Sequence, residues 1–118
     1  MNSALYMPIP ATIEHIKDET PDIRTYTIRP VEPVPFKAGQ FVELAVPGIG
    51  EAPFTPSSSP RITDHMEITI MRTGRVTDWL HQMQAGEEIG VRGPMGRAYP
   101  IEDFHGREIL IVGGGCGV

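Results

Sequence analysis

The sequence is poor in cysteine, in clustered basic residues and in long apolar runs. Its one cysteine, Cys116, excludes an internal disulfide and a metal site built from several cysteines of this chain. The four histidines are dispersed without ligand spacing, so no metal site is predicted. The Lys and Arg residues are scattered and the net charge is -5, which argues against nucleic acid as a partner. No apolar run is long enough to cross a membrane, and residues 1–10 lack the pattern of a signal peptide, so we expect a cytoplasmic protein without membrane insertion.

Helical periodicity is also scarce, because only residues 76–84 show it. The apolar positions at i, i+3, i+4 and i+7 are Val76, Trp79, Leu80 and Met83. This spacing predicts one short helix, with Trp79 in the core and Gly86 as the C-terminal cap. The 13 glycines and 12 prolines instead indicate many turns and short strands.

Alternating apolar and polar residues predict strands over residues 11–18, 22–29, 41–46, 66–72 and 87–92. Residues 51–60, EAPFTPSSSP, contain three prolines and are predicted to be extended but unable to pair fully in a sheet. Residues 93–96 predict a tight turn, and residues 98–104 a loop or a sheet edge. The pattern predicts an all-β fold, a six-stranded antiparallel Greek-key barrel with one short helix, over residues 1–106.

The run from Glu108 to Val112 differs from the other strands because it is almost continuously apolar, as in a strand buried on both faces of a parallel sheet. It leads into residues 113–118, GGGCGV, and such glycines allow a nucleotide phosphate to approach the backbone. We interpret residues 107–118 as the first strand of a truncated α/β NAD(P)-binding domain, and the chain as a fragment. A plain C-terminal edge strand is the alternative. Left unpaired, the run would be an apolar edge open to self-association.

The segment at residues 51–60 has groups suited to a planar ligand. Phe54 offers a ring face, and Thr55 and Ser57 offer short hydroxyl groups. A Pro/Ser-rich turn between two strands is the alternative interpretation.

Residues 72–77 lead from a predicted strand into the predicted helix. Unpaired amides at a helix N-terminus bind anions such as a pyrophosphate, and Arg72 or Arg75 would add positive charge. The alternative is that Thr77 caps the helix and both arginines are solvated.

The order of the motifs at residues 54–55, 74–77, 93–96 and 113–117 resembles the ferredoxin–NADP reductase superfamily, in which an FAD-binding barrel precedes an NAD(P)-binding domain. The chain is especially similar to the FAD/NAD subunits of NAD-linked hydrogenases (the gamma subunit) and of anaerobic sulfite reductase. The resemblance implies a flavin-dependent NAD(P)H oxidoreductase that passes electrons to an iron–sulfur partner, or to a cluster beyond Val118. The fragment alone is expected to be inactive. A non-catalytic barrel that binds a partner is the alternative.

The resemblance also implies a role for each candidate residue, with no side chain needed as a catalytic acid or base. Phe54 would pack on the isoalloxazine, and Thr55 would hydrogen-bond near the flavin N5. The residues beside the flavin and ribityl chain would be Ile70, Met71 and Arg72, and those binding the pyrophosphate Gly74, Arg75, Val76 and Thr77. Ala52 stands where the family has an arginine, so Arg72 or Arg75 is expected to supply that charge.

Overall fold

The computed structural model describes residues 7–114, which form one six-stranded antiparallel sheet and two short helices. The elements are β1 (Ile9–Thr20), β2 (Ile23–Pro30), β3 (Phe41–Val46), β4 (Gly50–Phe54), β5 (Met66–Met71), α1 (Arg75–Gln82), β6 (Glu88–Met95) and α2 (Ile101–Phe104). The strand order is β4-β3-β6-β1-β2-β5, and every neighbouring pair is antiparallel. Neither helix of this part of the chain is long and apolar enough to cross a membrane. The predicted six-stranded antiparallel fold is confirmed.

The sheet is rolled around a single apolar core. Its buried strand residues are Ala11, Ile13, Tyr26, Ile28, Val42, Leu44, Val46, Met66, Ile68, Ile70, Ile89 and Val91. Side chains from strands far apart in the sheet, such as Val42 on β3 and Ile68 on β5, belong to the same cluster. The alternation of the strands therefore places one face of the whole sheet inside a barrel.

Helix α1 is joined to the barrel by its buried Leu80 and by two hydrogen bonds. The Tyr26 hydroxyl donates to the Leu80 carbonyl at 2.5 Å. His81 Nε2 donates to the Ile70 carbonyl at 2.9 Å. Burial raises the pKa of Tyr26, so the phenol stays protonated at neutral pH and remains a donor.

The helix differs from its prediction in its end and in its apolar face. It ends at Gln82, with Met83 as an extended C-cap, and Gly86 (φ 96°) lies in the following turn. Trp79 is 46% exposed, so the prediction that it lies in the core is wrong. Leu80 lies in the barrel core, and Val76 and the C-cap residue Met83 pack against that core. The helix contacts the barrel on this side, so the side that carries Trp79 faces away from it.

Two turn and loop predictions near β6 are also wrong. Residues 93–95 continue β6 instead of forming a turn, and Met95 pairs with Phe41 across an irregular register. Gly93 has a φ of 132°, which allows the backbone irregularity within the strand. Residues 101–104 form α2, where the sequence predicts a loop or edge.

Residues 107–114 lie outside any helix or strand, so the strand predicted from Glu108 to Val112 is not formed in this chain. Ile109, Leu110, Ile111 and Val112 are 54%, 88%, 87% and 84% exposed. A strand needs neighbours for its backbone hydrogen bonds, and the barrel offers none to this segment. Cys116 and the glycines from 115 onward lie outside the described residues.

We expect Tyr26→Phe to destabilise the fold by about 0.5–1.5 kcal/mol, because it removes one buried hydrogen bond and keeps the ring. Urea unfolding followed by far-UV circular dichroism measures the change. The matched control is Tyr99→Phe at a 61% exposed position, where little change is expected. Equal unfolding midpoints for the two variants would contradict a stabilising role for the bond to Leu80.

Candidate functional site

The candidate site is the wall of the barrel between its two edge strands, β4 and β5. These strands stand at opposite ends of the strand order, and within residues 7–114 no ladder joins them. Beyond the end of β4, the Ser57 amide donates to the Glu67 carbonyl at 2.7 Å, and Ser58 Oγ accepts from the Glu67 amide at 2.9 Å. At the start of β4, a Cβ placed on Gly50 would lie 3.5 Å from Val76 Cγ2. The wall between the two edge strands is thus bounded at one end by the Ser57 and Ser58 bonds to β5 and at the other end by the start of α1, and we call it the groove.

One end of the groove contains Phe54 and Thr55. Phe54 is half-buried against the core and lies opposite Val42 in the β3–β4 register. Thr55 is exposed, and its hydroxyl has no protein partner within the described range. The packing fixes the aromatic ring while the neighbouring hydroxyl stays available to a ligand.

Ser57 connects the segment after β4 to strand β5. Its hydroxyl donates to the Glu67 carbonyl at 3.2 Å, alongside the backbone bond to the same oxygen. The hydroxyl oxygen keeps lone pairs that can accept a hydrogen bond, but its proton is used in closing the barrel.

The predicted β5 residues lie on different faces of the strand. Ile70 is 1% exposed, and its side chain points into the core. Only its backbone can therefore face the groove. Its carbonyl accepts the hydrogen bond from His81. Met71 is half-buried on the opposite face, together with Thr69, whose Oγ1 lies 2.9 Å from Thr25 Oγ1. Sequence reasoning missed Thr69, although the strict alternation of β5 places it on the same face as Met71.

The other end of the groove is the start of α1, shaped by Thr77. This side chain is 8% exposed, and its Oγ1 accepts from the amides of Thr73 and Gly74, both at 2.8 Å. The same hydroxyl donates to the Gly74 carbonyl at 3.1 Å. The interpretation that Thr77 caps the helix is therefore correct, and the cap also fixes the backbone just before the helix.

Three amides at the helix start have no protein acceptor among residues 7–114, those of Arg75, Val76 and Thr77. The first intrahelical bond runs from the Asp78 amide to the Gly74 carbonyl at 2.7 Å. A Cβ added to Gly74 would meet nothing within 4 Å, and the extended φ of -173° does not require glycine. The helix start thus combines unpaired donors with open space in front of them, as an anion site requires.

The two arginines near this helix start differ in their partners. Arg72 Nε lies 2.9 Å from Asp78 Oδ1, in a pair that is about half exposed on both sides. Arg75 is exposed and has no ion-pair partner in the described part of the chain. Ala52, on β4, contributes no charge. Arg75 is therefore the cation most available to a bound anion.

Comparison with known proteins gives the family of this chain. The family model described as "Oxidoreductase FAD-binding domain" matches residues 10–99. The chain belongs to this family. The match covers all six strands, both ends of the groove and helix α1.

Relatives and solved structures agree with this assignment. Sulfhydrogenase 1 subunit gamma of Pyrococcus furiosus is 40% identical over 82 residues, covering 70% of this chain and 28% of the relative. A probable dihydroorotate dehydrogenase B (NAD(+)) electron transfer subunit of Methanocella arvoryzae is 36% identical, covering 93% of this chain and 39% of the relative. The cytochrome P450 reductase GcoB of Amycolatopsis superposes with a TM-score of 0.74 at 31% identity, covering 82% of this chain and 31% of that chain. The chain thus spans well under half the length of these proteins.

The residues present fit FAD. A flavin nucleotide has a planar ring system at one end and a pyrophosphate in the middle. The groove has a fixed aromatic side chain, Phe54, at one end, and unpaired amides with open space at the other. The residue predicted to contact the flavin ring therefore lies at one end of this surface. The amides predicted to contact the pyrophosphate lie at its other end.

We expect Thr77→Val to destabilise the protein by about 1–3 kcal/mol, because it leaves the amides of Thr73 and Gly74 without their acceptor at nearly constant volume. Thr77→Ser keeps the hydroxyl and is the matched control, with a smaller loss expected. Thermal and urea unfolding measure both variants. If Val and Ser were equally stable at this position, the two hydrogen bonds would not be what fixes the helix start.

Proposed function

We propose that this chain is the FAD-binding module of an NAD(P)H-linked electron-transfer oxidoreductase. The observation that carries the proposal is the family match over residues 10–99, which includes the whole groove between β4 and β5. One relative is named as a sulfhydrogenase subunit and another as an NAD(+)-dependent electron transfer subunit. These names support a nicotinamide cofactor as the electron donor and a role in electron transfer.

Bound FAD would supply the redox chemistry, accepting a hydride from the nicotinamide and releasing electrons singly. The chain would hold the cofactor by its two ends. Phe54 presents its ring to the isoalloxazine, and Thr55 offers a hydroxyl at its edge. The amides of Arg75, Val76 and Thr77 donate to the pyrophosphate.

Charge at the pyrophosphate would come mainly from Arg75. Arg72 is held by Asp78, whereas Arg75 is exposed at the first position of the helix, beside the unpaired amides. The partial positive charge of the helix start adds to that of the guanidinium. This arrangement compensates for Ala52, where the family has an arginine.

The remaining steps are assigned to parts outside the barrel. We propose that residues 1–106 form the FAD-binding domain and that residues 107–118 begin an NAD(P)-binding domain. The exposed run of Ile109, Leu110, Ile111 and Val112 would then become a strand when neighbouring strands cover it. Electrons would leave to an iron–sulfur group, in a partner subunit or in the rest of the chain, and the location would be cytoplasmic.

We expect the purified full-length protein to be yellow with bound FAD and to release FAD on denaturation. Arg75→Ala should weaken binding about tenfold and reduce its salt dependence, since it removes one charge close to the pyrophosphate. Arg97→Ala, an exposed arginine away from the helix start, is the matched control. Flavin fluorescence titration measures the dissociation constants.

Two outcomes would count against this account. A colourless full-length protein that takes up no added FAD would favour a non-catalytic barrel that binds a partner. Unchanged FAD affinity in both Arg72→Ala and Arg75→Ala would remove the compensating-charge hypothesis while leaving the cofactor assignment intact.

We also propose that the exposed run from Glu108 to Val112 associates with a second copy in this isolated chain. Leu110 and Ile111 are the most exposed of its apolar residues, at 88% and 87%. Size-exclusion chromatography should show a concentration-dependent dimer, and the double change Leu110→Lys, Ile111→Lys should abolish it. A strict monomer at high concentration would contradict the pairing.

A further inference from the structure

The segment that follows β4 crosses the gap between the two edge strands without secondary structure of its own. Residues 55–59 belong to no strand or helix. Strand β4 ends at Phe54, which is fixed by its register pair with Val42 and by packing against the core. Thr55 is the first residue beyond that ladder and is exposed. Strand pairing therefore does not determine where the Thr55 hydroxyl lies.

Contacts on the far side of Thr55 hold it instead. Pro56 is buried, and a proline restricts the residue before it to extended backbone. The Ser57 amide donates to the Glu67 carbonyl at 2.7 Å, and the Glu67 amide donates to Ser58 Oγ at 2.9 Å. Glu67 belongs to β5, so these two bonds tie the segment to the other side of the gap. Thr55 thus lies between one anchor on β4 and another on β5.

The three consecutive serines of this segment contribute differently to the anchor on β5. The Ser57 hydroxyl donates to the same Glu67 carbonyl as its own amide, so the amide bond would remain if the hydroxyl were lost. Ser59 Oγ accepts from the Arg61 amide at 3.2 Å, within its own turn. Ser58 is half-buried, and its bond across the gap is made by the side chain alone. A change at Ser58 therefore removes one of the bonds to β5 without a substitute from its own backbone.

We propose that Ser58 is a positioning residue, which holds the Thr55 hydroxyl beside the bound flavin through its hydrogen bond to the Glu67 amide. This role rests on the proposed function, because Thr55 contacts a flavin only if the groove binds one. A polar group that contacts a cofactor has to be held within about 0.5 Å of its working position by the residues around it. Without the Ser58 bond, the segment keeps its backbone bond to β5 but gains freedom, and the Thr55 hydroxyl is held less firmly.

A double-mutant cycle in the full-length protein tests whether Ser58 acts through Thr55. Thr55→Val removes the hydroxyl at nearly constant volume, and Ser58→Ala removes the bond to Glu67. Ser58→Ala alone should weaken FAD binding about fivefold, as expected for one hydrogen bond, and should shift the absorption bands of bound flavin in the same direction as Thr55→Val. In the Thr55→Val background, Ser58→Ala should change neither quantity further. Flavin fluorescence titration and absorption spectroscopy measure the two effects.

Two further variants separate positioning from a general loss of structure. Ser58→Thr keeps a hydroxyl that can accept from the Glu67 amide, so it should restore both the affinity and the flavin spectrum. Ser59→Ala is the matched control, because its hydroxyl bonds within its own turn and does not reach β5. Little change in affinity or spectrum is expected for Ser59→Ala.

The outcomes distinguish this role from the proposed function. Equal effects of Ser58→Ala in both backgrounds would show that it does not act through Thr55 and would overturn the positioning role. The role would also be overturned if Ser58→Ala left affinity and spectrum unchanged, or if Ser59→Ala reproduced its effects. In each of these cases the wild-type protein still binds FAD. If the full-length wild-type protein took up no FAD, the proposed function would fail and the role of Ser58 with it.

Discussion

The barrel closes without a hydrogen-bonded ladder between its two edge strands, and the rest of the molecule depends on that gap. Prolines in the segment after β3 limit β4 to one partner, since proline lacks the amide that a second neighbour would need. The chain then bridges to β5 with a few bonds from Ser57 and Ser58 to Glu67. The part of the wall that has no ladder is the groove between β4 and β5.

Helix α1 fixes the other end of this groove. The Tyr26 and His81 bonds hold the helix against the barrel, while Thr77 fixes the backbone that enters it. The backbone at the helix start is therefore held by hydrogen bonds, although the first amides of the helix lack acceptors among the described residues. In the proposed function, these unpaired amides act together with Arg75 as the phosphate contacts in a chain that has Ala52 on β4.

The fold and the capped start of α1 could be predicted because they depend on local patterns. Alternation indicates the strands, and the apolar spacing from Val76 to Met83 indicates the helix, whereas the anion site at the helix start remains a prediction. The errors fall where a residue's surroundings come from distant parts of the chain. The helical spacing predicts Trp79 in the core, yet it is 46% exposed, and the pattern did not single out Thr69 on the outward face of β5. Ser57 remains a predicted ligand contact, and only the structure shows that its hydroxyl also bonds to Glu67 across the gap between the edge strands.

By itself, the sequence determined the antiparallel strands, the single helix after β5 and the order of the motifs that mark the family, because each depends on residues close together in the chain. Only the tertiary structure decided that Trp79 is exposed, that β6 continues to Met95 and that the run after Glu108 is uncovered. Burial and strand pairing depend on which elements lie alongside, and periodicity within one segment does not contain that information.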